Sequence, residues 1–541
     1  MLRPKLAIRS SRAVLLILSV LLLGAAASGT VERTYGGGYG GPGAFTVTSL
    51  VLTETAGVVS GKMRQPDERP DEPPLRNIKS SSDRLSFDAD TLRFDLRRTP
   101  HGYAGQVRDA RGARHPAAFV IRPGGVPPEI LAAYEGSYGL GDGRILTLSR
   151  NNAGSGFWYL ELPSGRTGFL FNLSNTEFTA GPCIYCAGPE RLHVSFAPGA
   201  DGPAPAVSLR LEGRPYAARR LTGYTEQEVA FTSRDGARLA GSLFLPTDPG
   251  PHPAVVFAHG SGAQSRNGYY GHIRFLAEAY ARRGVAALAF DKRGVGKSQG
   301  DWEKAGFATL ADDVAAGVGY LRTRPDIRPD RIGLTGGSQA GWIMPMAASR
   351  VPGLRFIQHF SAASPMGVRE QERRRLVLQM QAETYPPAEI DRALKVRDLM
   401  DDYAVTGQGW EALEAAAKAV ETERWMTQFI GGLPARDAPD WPWLREAMSY
   451  DTRPDFTRFA GAWHVLYGER DVIAPIREGR VMLEAAIAKG PSRDVTIEVV
   501  PGATHNFLLA RTGSDKEFSG LTRFVPGFHD KVTAWAARRV R

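Results

Sequence analysis

Arg331-Ile-Gly-Leu-Thr-Gly-Gly-Ser338-Gln-Ala-Gly-Trp342 is the most informative segment of this chain. It runs from a short apolar strand through a glycine pair to a serine, and then into a segment that favours a helix. That order predicts a sharp strand-to-helix turn, which lifts the hydroxyl of Ser338 clear of a sheet. Small residues are needed two positions before and after the serine, because the strand and the helix nearly touch there. Gly336 and Ala340 occupy those positions.

Two later strand ends supply the groups that turn a serine into a nucleophile. A serine hydroxyl needs a base to take its proton and a carboxylate to orient that base. One predicted strand is followed by Asp471 and the next by His505, in the chain order serine, acid, histidine. We therefore expect Ser338, Asp471 and His505 to form a catalytic triad. Glu469 is the rival acid, and it stands earlier in the turn, nearer the strand end.

A glycine-rich loop, Ala258-His259-Gly260-Ser261-Gly262, follows the first strand of the same region. Negative charge develops on the substrate oxygen during acyl transfer, so backbone N–H groups must point at that oxygen. We assign one such donor to the N–H of Ser261 and the other to the N–H of Gln339. The loop's supporting residues are expected to be His259, Gly260 and Gly262, with the histidine holding the loop rather than acting as the base.

Five short motifs stand in order at successive strand ends: His259-Gly-Ser-Gly, Phe290-Asp-Lys-Arg-Gly-Val-Gly-Lys-Ser298, Gly336-Gly-Ser-Gln-Ala-Gly, Gly468-Glu-Arg-Asp and Gly502-Ala-Thr-His505. Together they resemble bacterial α/β-hydrolases. The closest likeness is to the branch of esterases, acyl thioesterases and dienelactone hydrolases, which borders the prolyl-oligopeptidase-type peptidases. The resemblance covers residues 224–541 and implies a serine hydrolase. In that family the turn after Phe290 is scaffolding, and we expect Asp291 and Arg293 to pair within it.

The patterning of the chain predicts three regions. Residues 1–27 combine a basic start, an apolar run too short for the roughly 20 residues of a membrane-spanning helix, and an A-x-A site, as in a cleaved signal peptide. Residues 28–223 are expected to form one antiparallel β-domain, a barrel or sandwich, because residues 85–221 show short runs that alternate with period two between turns. Residues 134–178 resemble the lipocalin-like domains of some bacterial serine hydrolases. Residues 224–541 read as an α/β-hydrolase fold, a mostly parallel sheet with helices on both faces, interrupted at 365–456 by a helical cap.

The predicted signal peptide places the protein in the periplasm or outside the cell, with an uncleaved membrane anchor as the alternative. Cys183 and Cys186 are the only cysteines of the sequence, and they stand among Gly and Pro. A lone C-x-x-C offers half of a four-thiolate zinc site. An oxidising compartment favours a small disulfide loop instead, and we expect that disulfide.

Composition and chemistry limit the partners. The net charge of +10 includes four cations from the first 27 residues, and no dense Lys/Arg run remains, so we expect no nucleic-acid partner. The triad needs no metal and no organic cofactor. Beyond the signal segment we expect no stable membrane span. We expect a carboxylesterase-like enzyme for a small-molecule ester, and the four tryptophans of the cap favour an apolar or aromatic acyl group.

Three alternatives remain open. The same machinery cleaves thioesters and amides, so an acyl thioesterase and a prolyl-oligopeptidase-type serine peptidase are the enzymatic rivals. Coenzyme A is scarce outside the cytoplasm, which counts against the acyl thioesterase. The β-region shows no propeller-like repeat of about 40–50 residues, which counts against the peptidase. The third alternative is a non-catalytic ligand-binding protein with a vestigial hydrolase domain, which the presence of Ser338, Asp471 and His505 disfavours.

Overall fold

A computed structural model describes residues 30–64, 74–122, 124–151, 156–197, 202–362 and 365–540. The predicted signal peptide, residues 1–27, and its alternative as a membrane anchor lie outside these ranges. Among the helices within them, none is long and apolar enough to cross a membrane.

The first sheet is antiparallel. Its strands are β1 (Val31–Gly41), β2 (Ala44–Thr55), β3 (Val58–Arg64), β4 (Arg76–Ser80), β5 (Arg84–Ala89), β6 (Leu92–Thr99), β7 (Gly102–Arg108) and β8 (Arg114–Ile121), in the order β3-β2-β1-β8-β7-β6-β5-β4. The two ends of this order meet, because the N–H of Leu75, just before β4, donates to the carbonyl of Gly61 in β3 at 2.9 Å. Aromatic side chains fill the interior, where Phe87 stacks on Phe94 with ring centroids 4.7 Å apart.

The second sheet closes into a barrel. Helix α1 (Pro128–Tyr134) leads into β9 (Gly136–Gly139), β10 (Ile145–Arg150), β11 (Phe157–Leu162), β12 (Arg166–Asn172), β13 (Glu177–Ala180), β14 (Leu192–Ser195), β15 (Ala206–Leu211) and β16 (Arg214–Arg220). Each strand pairs with the next in sequence, and β16 returns to β9, which is an up-and-down order. The antiparallel, barrel-like character predicted for residues 28–223 is confirmed, but two sheets stand where one was expected.

The third sheet contains β17 (Tyr224–Thr232), β18 (Arg238–Pro246), β19 (His252–Ala258), β20 (Ala286–Phe290), β21 (Ile327–Gly337), β22 (Phe356–Phe360), β23 (Ala462–Gly468) and β24 (Val495–Val500). Its order is β17-β18-β20-β19-β21-β22-β23-β24. The pairs from β20 to β24 are parallel, whereas β17 and β18 join antiparallel. The carboxyl ends of β19, β21, β23 and β24 therefore meet at one edge, where open α/β sheets bind ligands.

Helices cover both faces of this sheet. They are α2 (His272–Ala281), preceded by a 3-10 turn (Tyr269–Gly271), α3 (Phe307–Arg322), α4 (Ala340–Arg350), and, after the inserted segment, α10 (Ile476–Ala488), α11 (Asp515–Phe518) and α12 (Phe528–Val540). Side chains of α3, α4 and α10 share one buried cluster with the strands, and those of α2 and α12 share another. The inserted segment holds α5 (Val368–Ala382), α6 (Pro387–Thr406), α7 (Trp410–Lys418), a π-helix (Met426–Ile430), α8 (Trp441–Ser449) and α9 (Arg453–Arg458).

A buried ionic cluster joins the barrel to the third sheet. Arg274 of α2 pairs with Glu135, just before β9, at 3.2 Å, and with Glu226 and Glu278 at 2.7 Å each. Glu278 also accepts a hydrogen bond from Ser137 of the barrel. Charged groups this deeply buried are stable only when they are paired, so the cluster fixes the two sheets in one relative position.

Candidate active site

Ser338 occupies the turn between β21 and α4. Its φ is +58°, in the left-handed region that residues other than glycine seldom adopt. Its N–H donates to the carbonyl of Phe360 at the end of β22 at 3.0 Å. A Cβ added to Gly336 would lie 2.5 Å from the carbonyl oxygen of Ala258 and 2.7 Å from the Cβ of Ala340. The strand and helix are therefore as close as predicted, and the methyl group of Ala340 is tolerated.

His505 and Asp471 are in direct contact. Nδ1 of His505 lies 2.9 Å from Oδ2 of Asp471 and 3.1 Å from Oδ1. The same Oδ1 accepts the backbone N–H groups of Ile473 at 2.8 Å and Ala474 at 2.9 Å, which fixes the plane of the carboxylate. With its Nδ1–H donated to Asp471, the imidazole keeps Nε2 as its proton acceptor. This is the arrangement that a general base requires.

Backbone contacts bring the two turns together. They follow the neighbouring parallel strands β23 and β24, and the N–H of Arg470 donates to the carbonyl of Ala503 at 2.7 Å. A Cβ added to Gly468 would lie 2.5 Å from that same carbonyl oxygen, so only glycine fits. The rival acid Glu469 accepts the N–H of Gly502 at 2.9 Å and is half exposed. Asp471, and not Glu469, therefore contacts the histidine.

The loop after β19 is held from inside the protein. Nε2 of His259 donates to the carbonyl of Phe290 at 2.7 Å, and burial lowers the pKa of this histidine to about 3. A ring that remains neutral near pH 7 and donates its Nε2–H is unsuited to be the base, so the supporting place predicted for His259 fits its contacts. Nζ of Lys292 donates to the carbonyls of Gly260 at 2.8 Å and Gly262 at 3.2 Å, and to Oε1 of Gln339 at 3.2 Å.

Lys292 determines which way the loop's N–H groups point. In a trans peptide the C=O and the following N–H point in opposite directions. Because the carbonyl of Gly260 points at Lys292, the N–H of Ser261 points away from it. A Cβ added to Gly260 would lie 3.4 Å from the Cβ of Ser338, so the loop passes beside the serine. Gln339 is the N-cap of α4, where backbone N–H groups have no partner inside the helix.

Ser338 and His505 line a single cavity of about 430 Å³, together with Ser261 and Gln339. The structure thus brings together all the residues predicted for the triad and the oxyanion hole. Most of the remaining wall is aromatic or aliphatic. Part of that wall, Trp158 and Ile184, comes from the barrel region, which the sequence did not connect with the site.

The expected pairing of Asp291 with Arg293 is wrong. Asp291 pairs with Arg266 at 2.8 Å, whereas Arg293 hydrogen bonds to Asp313 of α3 at 2.8 Å. Each of the two side chains is paired with a counterion from a different segment of the chain. The sequence around Asp291 and Arg293 does not indicate such distant partners. Sequence reasoning also missed the buried Lys292 between them, which it treated only as part of a turn.

The tryptophans of the inserted segment mostly stabilise that segment itself. Trp410, Trp425 and Trp441 lie in a core formed by its own helices. Trp443 lines the cavity and donates its indole N–H to the carbonyl of Ala305 at 3.0 Å. Arg375 of α5 also lines the cavity, so the inserted segment does reach the site. Three of its four tryptophans therefore serve to pack the apolar faces of its amphipathic helices against each other.

The disulfide expected between Cys183 and Cys186 is present, and both residues are buried. The loop that it closes lies between the barrel and the C-terminal part of the chain. Within it, the N–H of Ile184 donates to the carbonyl of Leu521 at 2.8 Å.

The fold and the geometry of the site are those of the α/β-hydrolase superfamily, and the resemblance drawn from the five motifs is confirmed. A family model described as X-Pro dipeptidyl-peptidase (S15 family) matches residues 235–452.

Similar curated relatives include the uncharacterized protein YfhR of Escherichia coli (strain K12), 34% identical over 122 residues, which are 22% of this chain and 40% of the relative. The thiohydrolase aneE of Aspergillus aculeatus is 37% identical over 123 residues, 22% of this chain and 35% of its own length. Human acyl-coenzyme A thioesterase 1 is 27% identical over 169 residues, 31% of this chain and 35% of its own length. The chain thus spans well under half of each of these relatives.

Solved structures with a similar fold include an esterase of Pyrococcus furiosus, with a TM-score of 0.37 and 17% identity, covering 58% of this chain and 89% of that one. The esterase Est1E of Butyrivibrio proteoclasticus, solved with ferulic acid bound, has a TM-score of 0.35 and 18% identity, covering 57% of this chain and 96% of that one.

Proposed function

We propose that the protein hydrolyses carboxylic esters through an acyl-enzyme on Ser338. The observation that carries this proposal is the direct contact of His505 with Asp471 at the cavity that the Ser338 turn also lines. Oγ of Ser338 attacks the carbonyl carbon while Nε2 of His505 takes its proton, and Asp471 stabilises the imidazolium. The N–H groups of Ser261 and Gln339 donate to the oxyanion.

The intermediate then collapses. Its bond to the leaving oxygen breaks, and His505 returns the proton to the departing alcohol. In the second half of the cycle His505 takes a proton from water, and the hydroxide attacks the acyl group on Ser338. The acid leaves, and the proton returns to Oγ.

The charged side chains of the cavity favour a neutral ester as the substrate over a peptide whose free N-terminus carries an α-ammonium group. Among the described residues that line the cavity, none is Asp or Glu, and two are cations, Lys292 and Arg375. A dipeptidyl-peptidase must accept an α-ammonium group, and a desolvated ammonium needs a counterion. The guanidinium of Arg375 is itself paired with Glu372 at 2.8 Å. A thioester is neutral too, so thioester hydrolysis stays the second candidate.

A substrate panel tests the proposal. The wild-type enzyme is offered p-nitrophenyl esters of graded chain length, an acyl thioester and an X-Pro p-nitroanilide. We expect kcat/KM to be highest for an ester. Faster cleavage of the anilide would overturn the ester assignment in favour of peptidase activity, and faster cleavage of the thioester would favour the thioesterase.

We also propose that the protein is exported and that residues 1–27 are removed. The buried disulfide of Cys183 and Cys186 is compatible with an oxidising compartment. The mass of the protein purified from its native cells tests this, and a mass that includes the intact N-terminus would contradict it.

Lys292→Met should lower kcat far more than it changes KM. The ammonium group orients the Ser261 peptide and holds the side chain of Gln339, so its loss disturbs donors that act mainly in the transition state. Removal of one oxyanion-hole donor lowers kcat by roughly 10²–10³-fold, and we expect an effect of that order. The control is Lys297→Met, on the exposed side of the same turn. An unchanged kcat in a folded Lys292→Met enzyme would show that Lys292 does not position the donors.

A further inference from the structure

The barrel strand β11 has two apolar faces, and each face packs against a different part of the protein. Phe157 and Tyr159 point into the barrel and belong to its interior cluster. Trp158 and Leu160 point outward and share a buried cluster with residues of α2 and α12. Alternate side chains of a strand lie on opposite faces, so an uninterrupted apolar run requires cover on both sides. The outer cover of this strand is the α/β-hydrolase region.

Trp158 stands in an aromatic cluster that crosses from the barrel to the cavity wall. Its ring lies edge-to-face with Tyr270, with centroids 5.1 Å apart, and with Phe169 of β12 and Tyr185 of the disulfide loop at 5.5 Å each. Tyr270 belongs to the 3-10 turn before α2 and also lines the cavity. Contacts from both regions therefore hold the indole of Trp158 in place.

Ile184 lies between Cys183 and Cys186, so the disulfide closes the loop that carries it. Its carbonyl accepts the N–H of Phe169 at 2.8 Å, and its own N–H donates to the carbonyl of Leu521 at 2.8 Å. The barrel fixes one side of Ile184 and the C-terminal segment fixes the other. Like Trp158, Ile184 lines the cavity that contains Ser338.

We propose that the β-barrel supplies a wall of the substrate-binding site, where Trp158 and Ile184 limit the size of the apolar group that the ester carries. The proposal rests on ester hydrolysis at Ser338 and adds a task for the barrel within it. The substrate class is a carboxylic ester with a bulky aliphatic or aromatic group. Recognition at this wall is mainly by apolar contact, because Ile184 is aliphatic and most of the surface of an indole is apolar.

Two opposite changes at one position test this wall. Ile184→Ala enlarges the cavity and Ile184→Trp fills it, while Ser338 and His505 stay unchanged. The comparison is kcat/KM for p-nitrophenyl octanoate and p-nitrophenyl benzoate, each divided by kcat/KM for p-nitrophenyl acetate. In apolar pockets one methylene group alters kcat/KM by roughly 10–200-fold. We expect Ile184→Trp to lower at least one of the two ratios by roughly tenfold or more, and Ile184→Ala to leave both equal or higher.

Substitutions at Trp158 provide a second, independent test of the barrel wall. Trp158→Ala removes the indole that limits the cavity and should raise the ratio for the ester affected by Ile184→Trp, and Trp158→Phe, which keeps a ring beside Tyr270, should raise it less. The matched control is Tyr216→Ala, an aromatic residue of the barrel strand β16 that is not among those lining the cavity. Thermal unfolding of each variant shows whether it is folded, and Trp158→Phe and the Ile184 variants keep the test decisive if Trp158→Ala does not fold.

The outcomes separate the two proposals. A wild-type enzyme with no activity on any ester would contradict the proposed function. An active wild-type enzyme whose ratios stay the same in folded Ile184→Trp and in every folded Trp158 variant would overturn the barrel wall and leave ester hydrolysis standing. Ratios that change equally in Tyr216→Ala would also overturn it, because the effect would then be a general one of barrel stability.

Discussion

Ser338→Ala should lower kcat for ester hydrolysis by roughly 10⁶-fold, the scale of loss when the nucleophile of a triad is removed. The hydroxyl is the atom that forms the acyl-enzyme, so no neighbouring group replaces it. Ala keeps the same Cβ and meets the same backbone conformation, and we therefore expect the fold to survive. Turnover of p-nitrophenyl acetate and thermal unfolding of the purified variant measure both expectations.

The chain offers a matched control for this change. Ser361 directly follows the neighbouring strand β22, is buried, and also has a left-handed backbone, with φ of +43°. It is not among the residues that line the cavity. Ser361→Ala should retain wild-type turnover. A Ser338→Ala enzyme that turns over as fast as Ser361→Ala would show that the nucleophile is another group.

Asp471→Asn should lower kcat by roughly 10⁴-fold while leaving substrate binding nearly intact. The amide oxygen can still accept the N–H groups of Ile473 and Ala474, but the amide nitrogen is a donor and faces Nδ1 of His505. The imidazole then carries its proton on Nε2, which leaves no lone pair to receive the proton of Ser338. The loss arises from the wrong tautomer rather than from a moved residue.

Glu469→Gln is the control for Asp471→Asn. It makes the same chemical change two residues earlier in the same turn, where the carboxylate accepts the N–H of Gly502. We expect its kcat to stay close to that of the wild type. Equal losses in the two variants, or a larger loss in Glu469→Gln, would contradict the assignment of Asp471 as the partner of His505.

The positions of Ser338, Asp471 and His505 could be predicted because the sequence information that places them is local. The turn at Ser338 requires small residues within a few positions, and each partner follows a strand whose apolar run is visible in the sequence. Parallel pairing then places the strand ends at one edge, so chain order is enough to bring Asp471 and His505 near the serine.

The contacts that the sequence did not show are those between distant segments. Trp158 meets Tyr270 across more than a hundred residues of chain, and a period-two pattern says only that Trp158 lies on a covered face. Lys292 looked like part of a turn, because nothing near it indicates that Gly260 and Gln339 fold over it. The two β-sheets share the same alternation, so the pattern could not show where one ends and the other begins.

Fluorophosphonate labelling followed by peptide mass mapping tests the central claim most directly. The reagent forms a covalent bond with a serine whose hydroxyl is activated by a base, and the phosphoryl oxygen of the reagent then enters the oxyanion hole. We predict one adduct, on the peptide that contains Ser338, with no labelling of Ser338→Ala and slower labelling of Lys292→Met. Folded wild-type protein that stays unlabelled, or that carries the adduct on a different residue, would contradict the account.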